Sequence, residues 1–147
     1  HFGQGIVSEK YSSPTACNFW IRKYDITLNE QYWIFTSEAT KEARLICLQW
    51  KILHNIYPTN ILLYKMGLSS TQNCNRYSIN EPNFIEHFFF HCERVRNMWK
   101  DIEGTINAYV WTRLPLTPEK VLLGVPSGFP ARKLKIINLV LLIGKCA

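Results

Sequence analysis

Acidic residues are scarce in this chain: eleven Asp and Glu stand against seventeen Lys and Arg, for a net charge of +6. A balance of that sign suits polyanions as partners, although on its own it speaks only of fields and solubility. Long apolar runs are missing too. The longest, Leu134 to Ile143, is interrupted by Asn138 and has about half the length of a bilayer-crossing helix, so no membrane association by a spanning segment is expected. The five cysteines Cys17, Cys47, Cys74, Cys92 and Cys146 are odd in number and lack the rhythm of a secreted disulfide framework, which reads as reduced intracellular thiols. No segment repeats, and no alternation of apolar and polar residues lasts beyond a few positions, which leaves little room for a sheet. The chain does not open on Met, carries no charged-then-apolar leader and closes inside what reads as an unfinished helix. A fragment of a longer protein is expected.

What the chain has instead is aromatic surface: eight Phe, seven Tyr and five Trp. Such side chains bury large areas, so 147 residues close one real core and the chain is globular. Its periodicity predicts a mainly α, small helical domain with a Cys/His loop-helix element. Residues 1–18 hold no period and read as a linker ahead of a domain over 19–147. Thr27 with Glu30 forms a capping box that opens a helix through about Ser37. A helix from about Glu38 to Tyr57 is apolar over more than half its circumference, which predicts extensive burial. Its polar stripe of Lys41, Arg44, Lys51 and Asn55 is one basic face, read either as a solvated edge or as phosphate contact.

Pro58 stops that helix, and Thr59 opens a shorter one to Met66, with Gly67 behind it. A polar loop leads to Asn83 and Glu86, a second capping box, and to one continuous helix ending near Ile106. Phe84, Phe88, Val95, Trp99 and Ile102 form its core stripe, with Phe90 exposed opposite. Thr117-Pro118-Glu119 starts a short helix that Gly124 ends. The last helix runs from Ala131 to Cys146, with Arg132, Lys133 and Lys135 in its opening turns.

Metal-ligand residues gather in one place only: Cys74, His87, His91 and Cys92. Two residues separate Cys74 from Tyr77, nine separate Tyr77 from His87, and four separate His87 from Cys92. With Cys in place of Tyr77 this would be C-x2-C-x9-H-x4-C, a four-ligand zinc pattern. A tyrosine there is a departure, because a phenol with a reference pKa of about 10 seldom yields its proton to zinc at neutral pH. Cys74, His87 and Cys92 remain, and His91 stands either in the fourth place or nearby. On a regular helix His87 and His91 lie about 40° apart, whereas His87 and Cys92 diverge by about 140° and converge only where the helix is irregular. Two readings stay open: a working zinc site, and a degenerate finger held by aromatic packing. Candidate phosphate contacts are Arg44, Lys51, Arg76, Arg94, Arg96 and Lys100, with Tyr77 and Phe90 as surfaces for unpaired bases.

Leu48-Gln49-Trp50-Lys51-Ile52-Leu53-His54, Pro58-Thr59, Cys74, and Ile85-Glu86-His87-Phe88-Phe89 to Cys92 follow one another in order, with Trp99, Leu122-Leu123-Gly124 and Ile137-Asn138-Leu139 behind them. This order resembles the zinc-knuckle-like region C-terminal to the reverse transcriptase in LINE-like, non-LTR retrotransposon polyproteins. The likeness covers roughly Asn18 to Lys145. It implies an accessory domain that holds template RNA or target DNA during target-primed reverse transcription, with zinc as cofactor on Cys74, His87 and Cys92. It further implies an upstream polymerase domain as partner, and residence in a cytoplasmic ribonucleoprotein and the nucleus. No Asp-Asp pair of a polymerase and no endonuclease signature occurs, so no catalysis is expected of the chain itself. A three-ligand zinc with Glu86 or Glu93 as base would be the enzymatic alternative. A helical element that docks on the polymerase thumb is the structural one.

Overall fold

The computed structural model describes residues 14–74 and 82–146, with side chains from Cys17 onward. The predicted mainly α architecture is what it shows: seven α-helices and one π-helical turn, and no strand among the described residues. Helix α1 (Pro14–Tyr24) starts on a proline, whose fixed φ and absent N–H suit a first helical position. Part of the stretch read as linker is thus helical, while residues 1–13 lie outside the described residues. Asp25 closes α1 in the left-handed region at φ 57°, its N–H donating to the Ile21 carbonyl at 2.8 Å.

Helix α2 (Glu30–Ala39) is capped by Asn29, whose Oδ1 accepts from the Gln31 N–H at 2.9 Å. The Thr27 capping box does not form, because Glu30 is the first helical residue and not the third. Thr40 to Glu42 then break the chain, so the expected helix from Glu38 is divided and α3 covers only Ala43–Leu53. Its burial is narrower than expected. Leu45, Gln49, Ile52 and Leu53 are buried, but Trp50 is 49% exposed and lies against His54 with ring centroids 4.3 Å apart. Helix α4 (Asn60–Lys65) follows Pro58, with Gly67 at φ 75° behind it, as the turn residues predict.

Helix α5 (Glu93–Val110), the short α6 (Pro118–Leu123) and α7 (Ala131–Cys146) complete the fold. Helix α7 packs on α2, α3 and α5, and α6 packs on α3. Two adjoining sets of buried side chains result. One centres on Trp20, Ile52, Leu53, Phe89, Leu122 and Leu123; the other on Val95, Trp99, Ile106, Val121, Ile137 and Leu141. Each contains an indole that satisfies its N–H on a distant carbonyl: Trp20 on Leu53 at 2.9 Å and Trp99 on Phe89 at 2.6 Å. Buried Asn138 explains the polar break in the apolar run. Its Oδ1 accepts from the Val125 N–H at 2.8 Å and its Nδ2 donates to the Val125 carbonyl at 3.0 Å. No described helix is long and apolar enough to cross a membrane.

Candidate metal centre

A defect in helix winding builds the site. Instead of one helix from Asn83, residues His87–His91 form a π turn, and the Cys92 N–H donates to the His87 carbonyl, five residues back, at 2.9 Å. Cys92 itself is extended (φ −61°, ψ 135°), and regular winding restarts at Glu93. The wider turn cancels the divergence that a regular helix would impose on residues five apart. It also shifts the core face by one position ahead of the break. Ile85 and Phe89 are buried, Phe84 is 53% exposed, and Phe90 packs half-buried against the core. The expected stripe through Phe84 and an outward Phe90 are therefore corrected. A π turn leaves carbonyls without their helical donors, and the Trp99 indole supplies one to Phe89.

Cys74 arrives from the loop. Thr71 and Asn73 donate their N–H groups to the Ser69 and Thr71 hydroxyls at 3.3 and 3.1 Å, and the Asn60 amide donates to the Asn73 carbonyl at 2.7 Å. Asn73 forms an antiparallel bridge with Pro82, and the Asn83 N–H donates to the Gln72 carbonyl at 2.8 Å. Cys74 is thereby pinned beside the start of the π turn. Asn83 is not the helix cap expected of it. Its Oδ1 is buried with no hydrogen-bond partner among the described residues.

The result is a buried triad: one ligand atom each from Cys74, His87 and Cys92, all within 4.8 Å of one another. The two sulfurs lie 3.9 Å apart. Zn–S bonds of about 2.3 Å in a tetrahedron set sulfurs about 3.8 Å apart, so the sulfur pair fits zinc in spacing and the three donors fit it in kind. Burial pushes the Cys92 thiol up, with the neighbouring Cys74 adding to the shift and the backbone of Arg94 opposing it. A metal bound here would hold both sulfurs as thiolates.

His91 goes elsewhere. It is exposed, and its Nε2 lies 2.8 Å from Glu86 Oε1. Glu86 also accepts from the Tyr24 hydroxyl and pairs with Lys23 at 3.4 Å, which ties α1 to the π turn. Burial raises the Glu86 carboxyl, but Tyr24, Lys23 and His91 together hold it below its ordinary value. Burial, with the Glu86 hydrogen bond behind it, pushes the Tyr24 phenol up.

The candidate cations fall into two groups. Arg44 and Lys51 of α3 border a cavity of about 350 Å³ that Tyr57 also lines. Arg94 borders one of about 300 Å³ with Cys74 and Cys92, again beside Tyr57. Arg96 and Lys100 are exposed on α5, Arg96 reaching the His91 carbonyl at 3.4 Å. Arg76 and Tyr77 lie outside the described residues. Sequence reasoning does not mark Tyr57 and Asn83 as lining residues; a helix stop and a cap leave the same letters, so nothing in the sequence separates the roles.

The family model for zinc-binding in reverse transcriptase matches residues 11–99, which spans all three residues of the triad and more than half of the chain. Neither a curated protein nor a solved structure matches. The match covers more than half of the chain and includes the buried Cys/His triad, and the chain belongs to the family of zinc-binding regions of reverse transcriptases.

Proposed function

We infer that this chain is a zinc-clamped nucleic-acid-binding accessory domain of a LINE-like, non-LTR retrotransposon reverse transcriptase, without catalysis of its own. The convergence of Cys74, His87 and Cys92 carries the reading. A metal there would tie the 68–74 loop to the π turn, and so fix the surface on which Arg94, Arg96 and Lys100 sit. The positive balance of the chain supports a polyanion as partner, template RNA or target DNA held while the upstream polymerase domain copies. Such a domain would accompany its element through a cytoplasmic ribonucleoprotein into the nucleus.

The test has two parts. Metal analysis of the purified chain should find one zinc per chain. Binding of single-stranded RNA or DNA should weaken by roughly tenfold or more between low and moderate salt, as multiple phosphate contacts require. Zinc-free protein of unchanged stability would defeat the clamp, and salt-independent or absent binding would defeat the nucleic-acid reading.

Exposed Ile136 and Ile143 on α7 favour the second reading, docking on the polymerase thumb. Phe90, half-buried, gives it no support. Aggregation of the isolated chain, relieved by the upstream polymerase domain, would distinguish it.

A further inference from the structure

Three cavities meet at one side chain. Tyr57 lines the cavity beside Cys74 and Cys92, the one beside Arg44 and Lys51, and a third of about 240 Å³ bordered by Phe19, Phe84, Lys23 and Lys65. The geometry points to Tyr57 as the crossing point of a track for one unpaired strand of RNA or DNA, running from the metal centre to the Phe84 and Lys65 wall. This deepens the proposed function and rests on it.

Charge comes first. Arg44, Lys51, Lys65 and Arg94 border these cavities, and no carboxylate does among the described lining residues. Lys23 is partly engaged by Glu86 and contributes less. Aromatic surface lines the same cavities as those cations. Phe84 is more than half exposed, and half-buried Tyr57 is braced from behind by Phe88 and Phe89, with centroids 5.4 and 4.8 Å away. Cations beside braced rings are what single strands use: phosphates on the first, base faces on the second. A duplex would not fit, because its bases are stacked inward and cannot present faces to Tyr57 and Phe84.

The experiment measures binding of a short fluorescent oligouridylate to the zinc-loaded chain. Variants are Phe84→Ala, Phe84→Trp, Lys65→Ala and Arg113→Ala, the last removing an exposed charge that lines none of the three cavities. Phe84 and Lys65 are exposed, so their thermal unfolding should match wild type. Loss of a stacking ring should weaken binding by at least about fivefold in Phe84→Ala, with Phe84→Trp near wild type. Lys65→Ala should weaken it more than Arg113→Ala. Wild-type binding with Phe84→Ala unchanged, and Lys65→Ala no worse than Arg113→Ala, would overturn the track and leave the proposed function standing. No binding by wild type at low salt would overturn both.

Discussion

Gln49, Asn138 and Lys145 bury polar atoms between helices, just as Cys74, His87 and Cys92 do at the junction of loop and π turn. The first set is complete within the protein. Gln49 donates to the Leu122 carbonyl at 2.8 Å, Lys145 donates to Gln49 Oε1, and Asn138 closes two bonds on Val125. The second gathers soft donors whose mutual contact, sulfur to sulfur at 3.9 Å, is weak by hydrogen-bond standards. Buried polar groups that complement one another make structure; two thiols and an imidazole that converge make a candidate cation site. Breaking each set should therefore look different.

The largest effect belongs to the triad. Cys92→Ser should reduce zinc from one per chain to a small fraction and lower the unfolding temperature more than Asn138→Leu or Gly144→Ala does. Structural zinc contributes on the order of 10 kcal/mol in small zinc domains. A chelator should lower the melting temperature of wild type and leave the variant unmoved. Equal zinc content in the two proteins would refute the metal half of the comparison.

Asn138→Leu tests the other half. It keeps the volume but leaves the Val125 N–H and carbonyl buried without partners, at about 1–3 kcal/mol for each group, so a total loss of about 2–6 kcal/mol is expected in urea unfolding. Zinc stoichiometry should not change. If zinc fell along with stability, the two sets would be one cooperative unit.

Gly144→Ala falls between the two sets. A Cβ there would come within 2.8 Å of the Trp99 ring, which is buried and tethered to the Phe89 carbonyl in the π turn. Overpacking of this kind costs about 1–3 kcal/mol. Since Trp99 also steadies the turn that carries His87, zinc affinity should fall modestly too. An unaltered zinc affinity would show the π turn to be independent of its indole anchor.

Much of the helical frame is legible in the sequence because local chemistry decides it. Pro118 and Gly124 bracket α6, Gly67 closes α4, and α7 occupies the predicted Ala131–Cys146. The ligand spacing is legible as well, since Cys74, His87 and Cys92 are the residues that converge. The way they converge is not. A π turn is a choice of the i→i+5 over the i→i+4 hydrogen bond, and nothing in His87-Phe88-Phe89-Phe90-His91 favours it; a tryptophan ten residues on provides the compensating donor. Periodicity carries straight through that break, which is why it assigns Phe84 to the core and Phe90 to the surface. The helix break at Thr40 to Glu42, without Pro or Gly, is legible only to within a few residues, since the sequence places that boundary at Ser37 and Glu38.

Lys145 gives the smallest effect and the sharpest sign. Burial lowers its pKa to about 7, with Gln49 Oε1 and the Leu122 carbonyl as its acceptors. In the unfolded chain a lysine titrates near 10.4. Between these values the unfolded state binds more protons than the folded one, so stability should rise with pH across that window, and the penalty is fully present below it. Lys145→Met removes the penalty but leaves Gln49 Oε1 without its donor, so the net change at neutral pH should be small. The pH slope is the better readout. Urea unfolding from pH 7 to 10 should show wild type gaining stability relative to Lys145→Met, the difference between the two cancelling the titration of thiols and phenols common to both. Parallel curves would mean that Lys145 keeps its proton when buried, and that its carbonyl acceptors solvate the charge more fully than two contacts suggest.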